Sequence, residues 1–254
     1  MIRVIPRLDI KGPNVIKGIQ LECLRIIGKP QELAEAYYKE GADELLYVDS
    51  VASLYERDTI LDIVSQAARK IFIPLTVGGG IRSIEDIKKT LRAGADKVAI
   101  NTHATKHPKF ITEAARAFGS QCIVGSVEAK RIPGGGWEAF IDNGRAPTGH
   151  DAVVWAKHLV SLGAGELLIT SVDQEGTAKG YDIGLIQAIA PHVNIPVIAC
   201  GGAGSVEDIF SVIEDGFADA VSAARIFHYK KHSIREVKEY LCKKKIRVRI
   251  EKKK

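Results

Sequence analysis

The chain has 254 residues, of which 46% are hydrophobic and 26% charged; this composition is typical of a soluble globular protein, and no apolar run reaches the about 18 residues that a membrane span needs. The net charge of +5 lies in the C-terminal tail, since residues 243–254 hold eight Lys or Arg and one Glu, which leaves about −2 for the body. A basic face for nucleic acid is therefore not expected. The N-terminus has no signal-peptide layout and the four cysteines form no C-x-x-C pair, which predicts a cytoplasmic protein with reduced thiols.

Short β-branched runs alternate with amphipathic segments along the chain, which predicts strand–helix units. The strands are expected at 4–8, 44–48, 71–77, 97–100, 122–127, 166–170, 195–199 and 220–223. The helices are expected at 31–39, 59–69, 84–92, 108–118, 151–162, 183–190, 206–214 and 233–241, with Ser83 and Ser205 at N-cap positions. Eight such units predict a (β/α)₈ TIM barrel over residues 1–242, followed by a basic tail at 243–254.

Two long segments lie at matching places in this pattern, 11–30 after the first strand and 130–149 after the fifth. Loops that follow barrel strands lie on the catalytic face. Their length therefore predicts loops that close over a substrate.

The chain also repeats itself at an offset of 122 residues. The repeated blocks are GADELL at 41–46 and GAGELL at 163–168, IPLTVGGG at 73–80 and IPVIACGG at 195–202, and SIEDI at 83–87 and SVEDI at 205–209. Three separated blocks at one spacing indicate duplicated half-barrels of about 1–120 and 121–242. A doubly wound sheet would give no reason for equal halves.

The duplication predicts a pair of carboxylates at the barrel mouth. Asp9 ends the first strand and Glu128 ends the fifth, at equivalent places in the two halves. Two carboxylates that face one pocket can perform general acid–base catalysis if their surroundings separate their pKa values. An isolated acid at either place would more simply anchor a loop, but a symmetric pair favours catalysis. Asp49, which ends the second strand, is a further acidic candidate.

Each half also contains a candidate phosphate site. Gly80 lies in a glycine run before a helix, and the next strand leads to Asn101 and Thr102; in the second half Gly202 is followed by Ala223 and Ala224. Glycine-rich turns let backbone N–H groups approach an anion. The segment from Thr170 to Gly176 could close over the second site. A ligand with a phosphate at each end is predicted, and no spacing indicates a metal or cofactor.

These residues resemble the cyclase subunits of imidazole glycerol phosphate synthase, the HisF family. The resemblance covers nearly the whole chain and is carried by RLDIK at 7–11, KG at 17–18, GADEL at 41–45, TVGGGIR at 76–82, GADKV at 94–98, INT at 100–102, FGSQ at 118–121, AKR at 129–131, GAGELL at 163–168, GGAG at 201–204 and FHY at 227–229.

The resemblance implies a lyase of histidine biosynthesis that works as a heterodimer. A HisH-type glutaminase docked at the barrel bottom would supply ammonia, which the barrel adds to a bisphosphate ribulosyl intermediate to form imidazole glycerol phosphate and aminoimidazole carboxamide ribotide. The implied roles are catalysis for Asp9, substrate binding for Lys17, phosphate binding for the glycine sites, and contact with the glutaminase for Asp96 and Gln121. A charge ring that gates ammonia is implied for Arg3, Glu44, Lys97 and Glu166.

Three departures from the family pattern leave the acceptor open. Glu128 replaces an aspartate, Ala224 replaces a usual serine, and residues 19–26 differ from the usual lid sequence. Alternatives are therefore a paralogous subunit that channels ammonia to amidinate a surface-polysaccharide sugar, and a non-catalytic activator of a glutaminase. A HisA-type isomerase is less consistent, because the four gate charges would have no role there.

Overall fold

The structure, a computed structural model, describes residues 1–50 and 58–250. Its strands are β1 (Arg3–Lys11), β2 (Asn14–Ile19), β3 (Glu22–Gly28), β4 (Leu45–Asp49), β5 (Leu75–Gly78), β6 (Lys97–Ile100), β7 (Ile123–Arg131), β8 (Trp137–Ile141), β9 (Ala146–Asp151), β10 (Glu166–Ser171), β11 (Val197–Cys200) and β12 (Ala220–Ala223). Its helices are α1 (Pro30–Lys39), α2 (Asp58–Ala68), α3 (Ile84–Arg92), α4 (Thr102–Lys106), α5 (Lys109–Phe118), α6 (Ala152–Ser161), α7 (Ile183–Ile189), α8 (Val206–Glu214), α9 (Arg225–His228) and α10 (Ile234–Lys243).

Within this part of the chain, eight parallel strands close into a barrel. Their order is β1, β4, β5, β6, β7, β10, β11 and β12, and β12 pairs again with β1. Helices follow the strands and cover the barrel. The predicted (β/α)₈ fold is confirmed. Ser83 and Ser205 cap α3 and α8 as expected, each accepting a hydrogen bond at 3.1 Å from the backbone N–H three residues on.

The apolar core has two parts. The larger lies between the strands and the helices, where residues such as Leu8, Val64 and Leu159 are fully buried. The smaller fills the inside of the barrel and consists of Ile5, Leu46, Ala99, Val124, Leu168, Ile198, Cys200 and Ala220. Side chains on a barrel strand alternate between these two cores, which explains the nearly continuous apolar runs in the sequence.

The strand registers show that the two halves match in space. Asp9 on β1 lies opposite Val48 on β4, and Glu128 on β7 lies opposite Thr170 on β10. Val48 and Thr170 are separated by the same 122 residues as the repeated sequence blocks. Asp9 and Glu128 therefore occupy equivalent positions in the two half-barrels.

The two segments predicted as long loops are β-hairpins, so that expectation was wrong in form. β2 and β3 extend β1 on one side of the mouth, and β8 and β9 extend β7 on the other. Between β2 and β3 the two turn residues, Gln20 and Leu21, have φ of 50° and 65°, the conformation of the two-residue turns that join antiparallel strands. The β8–β9 turn has four residues, 142–145, of which Asp142, Asn143 and Gly144 have φ of 54°, 57° and 69°.

The first part of the basic tail lies against the bottom of the barrel. The N–H of Ile2 donates to the Arg247 carbonyl at 2.8 Å, Ile2 pairs with Val248, and Arg249 donates to the Ala42 carbonyl at 2.9 Å. Residues 251–254 of the predicted tail lie outside the described residues. Among the described helices, none has the length and apolar character needed to cross a membrane.

Candidate active site

A cavity of about 490 Å³ lies at the mouth, at the C-terminal ends of the barrel strands. Six of the residues predicted for catalysis or substrate binding line it together, although they come from five different segments of the chain. They are Asp49, Gly80, Asn101, Thr102, Glu128 and Thr170. Its place and lining agree with the rule that barrel enzymes build their sites on this face.

Glu128 is held by the hairpin that follows its own strand. Its Oε2 accepts a hydrogen bond of 2.8 Å from the N–H of Gly144, within the β8–β9 turn. Asn143 in turn donates to the Ser50 carbonyl at 2.7 Å, which ties the turn to the end of β4. Burial raises the pKa of Glu128 to about 7, and the Gly144 hydrogen bond and the charge of Arg7 only partly oppose this effect. Glu128 can therefore exchange a proton near neutral pH.

Asp9 belongs to a chain of buried charges. Arg7 Nε donates to Asp9 Oδ1 at 2.8 Å, and Lys17 Nζ donates to Asp9 Oδ2 at 3.3 Å and to Glu175. Burial alone would raise the pKa of Asp9, but the charges of Arg7 and Lys17 outweigh it and lower the pKa to about 2. Asp9 is thus a carboxylate at any physiological pH.

The two carboxylates lie in adjoining cavities and not in one open pocket. Asp9 and Lys17 line a smaller cavity of about 90 Å³. Ser50, Asn143 and Arg145 line both this cavity and the main one, so these three residues separate the two spaces. The β2–β3 hairpin causes this arrangement because it carries Lys17 over Asp9 and its tip, Gln20, bonds to the Glu175 carbonyl at 2.7 Å.

The first predicted phosphate site is open to the main cavity. Gly79 and Gly80 have φ of 95° and 64° and form the turn between β5 and α3. Asn101 and Thr102 face the same cavity at the start of α4, and the Thr102 hydroxyl accepts from the Asp142 N–H at 3.3 Å. Cationic or titratable side chains that the sequence reasoning did not assign complete the lining: Arg82, His103, Lys106 and Arg145.

The second predicted phosphate site is narrow. Gly176, Gly202, Ala223 and Ala224 come together as expected, but the space between them measures only about 10 Å³, about that of one water. Arg225 fills its edge and donates to the Gly176 carbonyl at 2.5 Å. A side chain at Gly202, whose φ is 112°, would collide with the Gly180 carbonyl. A phosphate here would require the Gly176 segment to move.

At the opposite end of the barrel, four charged side chains form a closed ring. Arg3 contacts Glu44 at 2.8 Å and Glu166 at 2.9 Å, and Lys97 contacts the same two acids at 2.9 Å each. Glu44 also accepts from the Thr76 hydroxyl at 2.5 Å. Two cations and two anions alternate, so the ring is neutral. All four residues predicted for it meet.

The ring and the mouth are joined by the inside of the barrel. Arg3, Ile5, Arg7 and Asp9 alternate along β1, so they face the interior in succession from the bottom ring, through the apolar interior core, to the mouth. The interior between the two polar ends is lined by small and aliphatic side chains, among them Ala99 and Ala220.

Sequence reasoning did not assign roles to Arg7 and Glu175. Arg7 is 3% exposed, and its Nη1 lies 3.4 Å from both Thr170 Oγ1 and Cys200 Sγ. A signal for Arg7 was present, because a charged residue at an inward position of a barrel strand needs a partner. No comparable signal marked Glu175, which reaches Lys17 across 158 residues of sequence.

Two comparisons with known proteins agree with this geometry. A family profile described as "Histidine biosynthesis protein" matches residues 3–233. The protein described as "Imidazole glycerol phosphate synthase subunit HisF" from Legionella pneumophila is 58% identical over 207 residues, which cover 82% of this chain and 98% of that relative.

Proposed function

The chain belongs to the histidine biosynthesis protein family, and we propose that it is the cyclase subunit of an imidazole glycerol phosphate synthase. In this reaction ammonia from a HisH-type glutaminase is added to a ribulosyl intermediate that carries a phosphate at each end. The products are imidazole glycerol phosphate and aminoimidazole carboxamide ribotide. The 58% identity to a HisF subunit does not favour the sugar-amidinating or non-catalytic alternatives.

The observation that carries this proposal is that a closed ring of charges lies at one end of the barrel and the cavity with Glu128 at the other. The bottom ring of Arg3, Glu44, Lys97 and Glu166 is neutral and closed by four contacts of 2.8–2.9 Å. Above it lies an apolar interior that favours neutral ammonia over ammonium, because an unpaired charge is costly to bury. An isomerase with a single substrate would have no use for this route.

The mouth suits a substrate with two anionic ends. One phosphate would bind at Gly80, Asn101 and Thr102, where Arg82 and Lys106 add positive charge. The other would bind at Gly176, Gly202, Ala223 and Ala224 beside Arg225, after a movement of the Gly176 segment. Arg7 lines both cavities and so lies between the two ends. The reacting centre would then face Glu128, with Asp9, Lys17, Asp49 and Thr170 close by.

The glutaminase would dock on the bottom face, next to the ring. Asp96 and Gln121, the residues implied for this contact, are exposed. Asp96 also accepts from the Leu75 N–H at 2.8 Å and so fixes the start of β5. Phe72 and Phe217, in the segments that precede β5 and β12, are 81% and 56% exposed.

The test is turnover of the bisphosphate intermediate by the purified chain, first with ammonium and then with glutamine and a HisH-type glutaminase. We expect both products in both assays. Thr102→Val should raise KM several-fold, because it removes a hydroxyl from the proposed phosphate site. Thr105→Val is the matched control, since its hydroxyl, 3.4 Å from the Asn101 carbonyl, does not line the cavity. A folded protein without turnover at saturating ammonium would refute the proposal.

A further inference from the structure

The buried charged side chains of the mouth fall into two unequal groups. Arg7, Asp9, Lys17 and Glu175 alternate in sign along one chain of contacts, and each is no more than 4% exposed. Cations and anions balance within this chain. Glu128 lies outside it, and the only hydrogen-bond donor found for it in the described residues is the Gly144 N–H.

The duplicated halves explain why Glu128 has no such cation. Arg7 lies opposite Leu46 on β4, and Ser126 lies opposite Leu168 on β10. Because Leu46 and Leu168 are 122 residues apart, Ser126 occupies in the second half the place that Arg7 occupies in the first. Asp9 thus follows Arg7 by two residues, and Glu128 follows Ser126 by two residues. Only Asp9 therefore has a guanidinium two residues before it on its strand.

We propose that Arg7 is a positioning residue that fixes Asp9 as a permanent carboxylate, which leaves Glu128 as the group that exchanges protons with the substrate. This inference rests on the proposed function for its substrate and deepens it by giving the two acids different roles. Asp9 then acts through its charge, and Glu128 through its proton.

A balanced step shows what Glu128 would do. The ammonia nitrogen forms a bond to the ketone carbon of the ribulosyl group while the protonated Glu128 gives its proton to the ketone oxygen. Glu128, now a carboxylate, takes a proton from the new ammonium group and returns to its acid form. The product is the carbinolamine, with no net change in the enzyme. A carboxyl that holds its proton near neutral pH is suited to both transfers.

The surroundings of both acids support this division. Burial has the largest effect on the pKa of Glu128 and raises it; the Gly144 hydrogen bond and the charge of Arg7 lower this pKa, and the charges of Asp9 and Asp142 raise it. Burial also raises the pKa of Asp9, whereas the charges of Arg7, Lys17 and His228 lower it. Burial and Lys17 lower the pKa of His228 to about 4, so that ring is neutral and adds no charge near pH 7. The other titratable or charged side chains that line these cavities are Lys11, Asp49, Arg82, His103, Lys106 and Arg145.

The first test uses the free protein and does not depend on turnover. Infrared spectra recorded against pH detect the carbonyl band of a protonated carboxyl. In the wild type we expect a band that is half lost near pH 7, that disappears in Glu128→Gln and that persists in Asp9→Asn. In Arg7→Met a second carboxyl, Asp9, should titrate above its usual range. Arg145→Met is the matched control, since this exposed guanidinium lines the same cavities and should leave the bands unchanged.

The second test is the pH profile of kcat at a fixed concentration of free ammonia. The wild type should show an inflection near pH 7 that Arg7→Met moves by at least half a pH unit. A merely structural Arg7 would lower the rate equally at every pH. Arg7→Lys keeps the positive charge and should keep the inflection, so it serves if Arg7→Met does not fold.

The outcomes separate the inference from the function on which it rests. If the wild type gives no turnover but the Arg7→Met spectra change as expected, the proposed function fails and the charge assignment stands. If turnover occurs but Glu128→Gln removes no titrating band, or Arg7→Met adds no second band and leaves the inflection in place, the inference is overturned.

Discussion

Glu128 should make the stability of the protein depend on pH in a direction opposite to that of most acids. Its folded-state pKa of about 7 lies above the usual 4.5. The folded state therefore binds this proton more tightly than the unfolded state, and stability is lost as pH rises through 7. Glu128→Gln removes the titration while its amide oxygen can still accept from the Gly144 N–H. The variant should be more stable than the wild type at pH 8 and should differ from it much less at pH 5, where Glu128 is still protonated in the folded state.

The size of this effect follows from the two pKa values. The difference between the pKa values of about 7 and 4.5 lowers the free energy of unfolding by about 3 kcal/mol at a pH where Glu128 is ionised in both the folded and the unfolded state. For a domain of this size, each kcal/mol changes the midpoint of thermal unfolding by about 2–4 °C. We therefore expect Glu128→Gln to raise the midpoint at pH 8 by up to about 6–12 °C.

The assay is thermal unfolding of both proteins at pH 5 and pH 8, with Asp9→Asn as the control. The pKa of Asp9 is about 2, below its usual 3.8, so its contribution is fully present at both pH values and is lost only as pH falls through 2. Asp9→Asn should therefore destabilise the protein by the same amount at pH 5 and pH 8. If Glu128→Gln changes the midpoint equally at the two pH values, Glu128 is not a buried acid with a raised pKa.

Two further substitutions test the ends of the barrel. Lys97→Met removes two contacts of 2.9 Å and leaves the ring with one cation against two acids. Hydrogen bonds to charged groups are worth about 1.5–3 kcal/mol, so glutamine-dependent turnover should fall on the order of tenfold. Ammonium-dependent turnover should be kept. An equal fall in both assays would show that Lys97 is only structural. Glu128→Asp shortens the side chain by one methylene and should lose the 2.8 Å bond to Gly144, and a displacement of about 1 Å can lower the rate on the order of 10²-fold. Full ammonium-dependent kcat in this variant would contradict the positioning role of Gly144.

The sequence predicted the barrel because its strands and helices have different and regular apolar spacing. Predictions were less accurate where a strand continues beyond the barrel. β7 runs from Ile123 to Arg131, four residues past the expected end at 127, since pairing with β8 extends it. In contrast, Ile71 and Ile73 are buried but lie before β5, so an apolar run alone did not show where backbone pairing begins.

The sequence could predict only those site residues that a local pattern within one half-barrel marks. Asp9, Glu128, Gly80 and Gly202 could be found because they end strands or form turns within a repeat. The contact between Lys17 and Glu175 could not, because it depends on a hairpin meeting a loop from the other half. Of the two hairpins, only β8–β9 has a local sequence signal, since Asp-Asn-Gly at 142–144 is typical of a tight turn.

The ring at the bottom shows how a duplicated fold can acquire a site that neither half could form. Glu44 and Glu166 are equivalent, since they are 122 residues apart. Their cations are not, because Arg3 and Lys97 both come from the first half, and Ala220 takes the place of Lys97 in the second: Lys97 pairs with Thr76, and Ala220 pairs with Ile198, 122 residues after Thr76. The acid beside it, Asp219, matches Asp96, since it accepts from the Val197 N–H at 2.9 Å as Asp96 accepts from the Leu75 N–H at 2.8 Å. Only the complete barrel brings the second acid to the two cations, so closing the ring requires both halves.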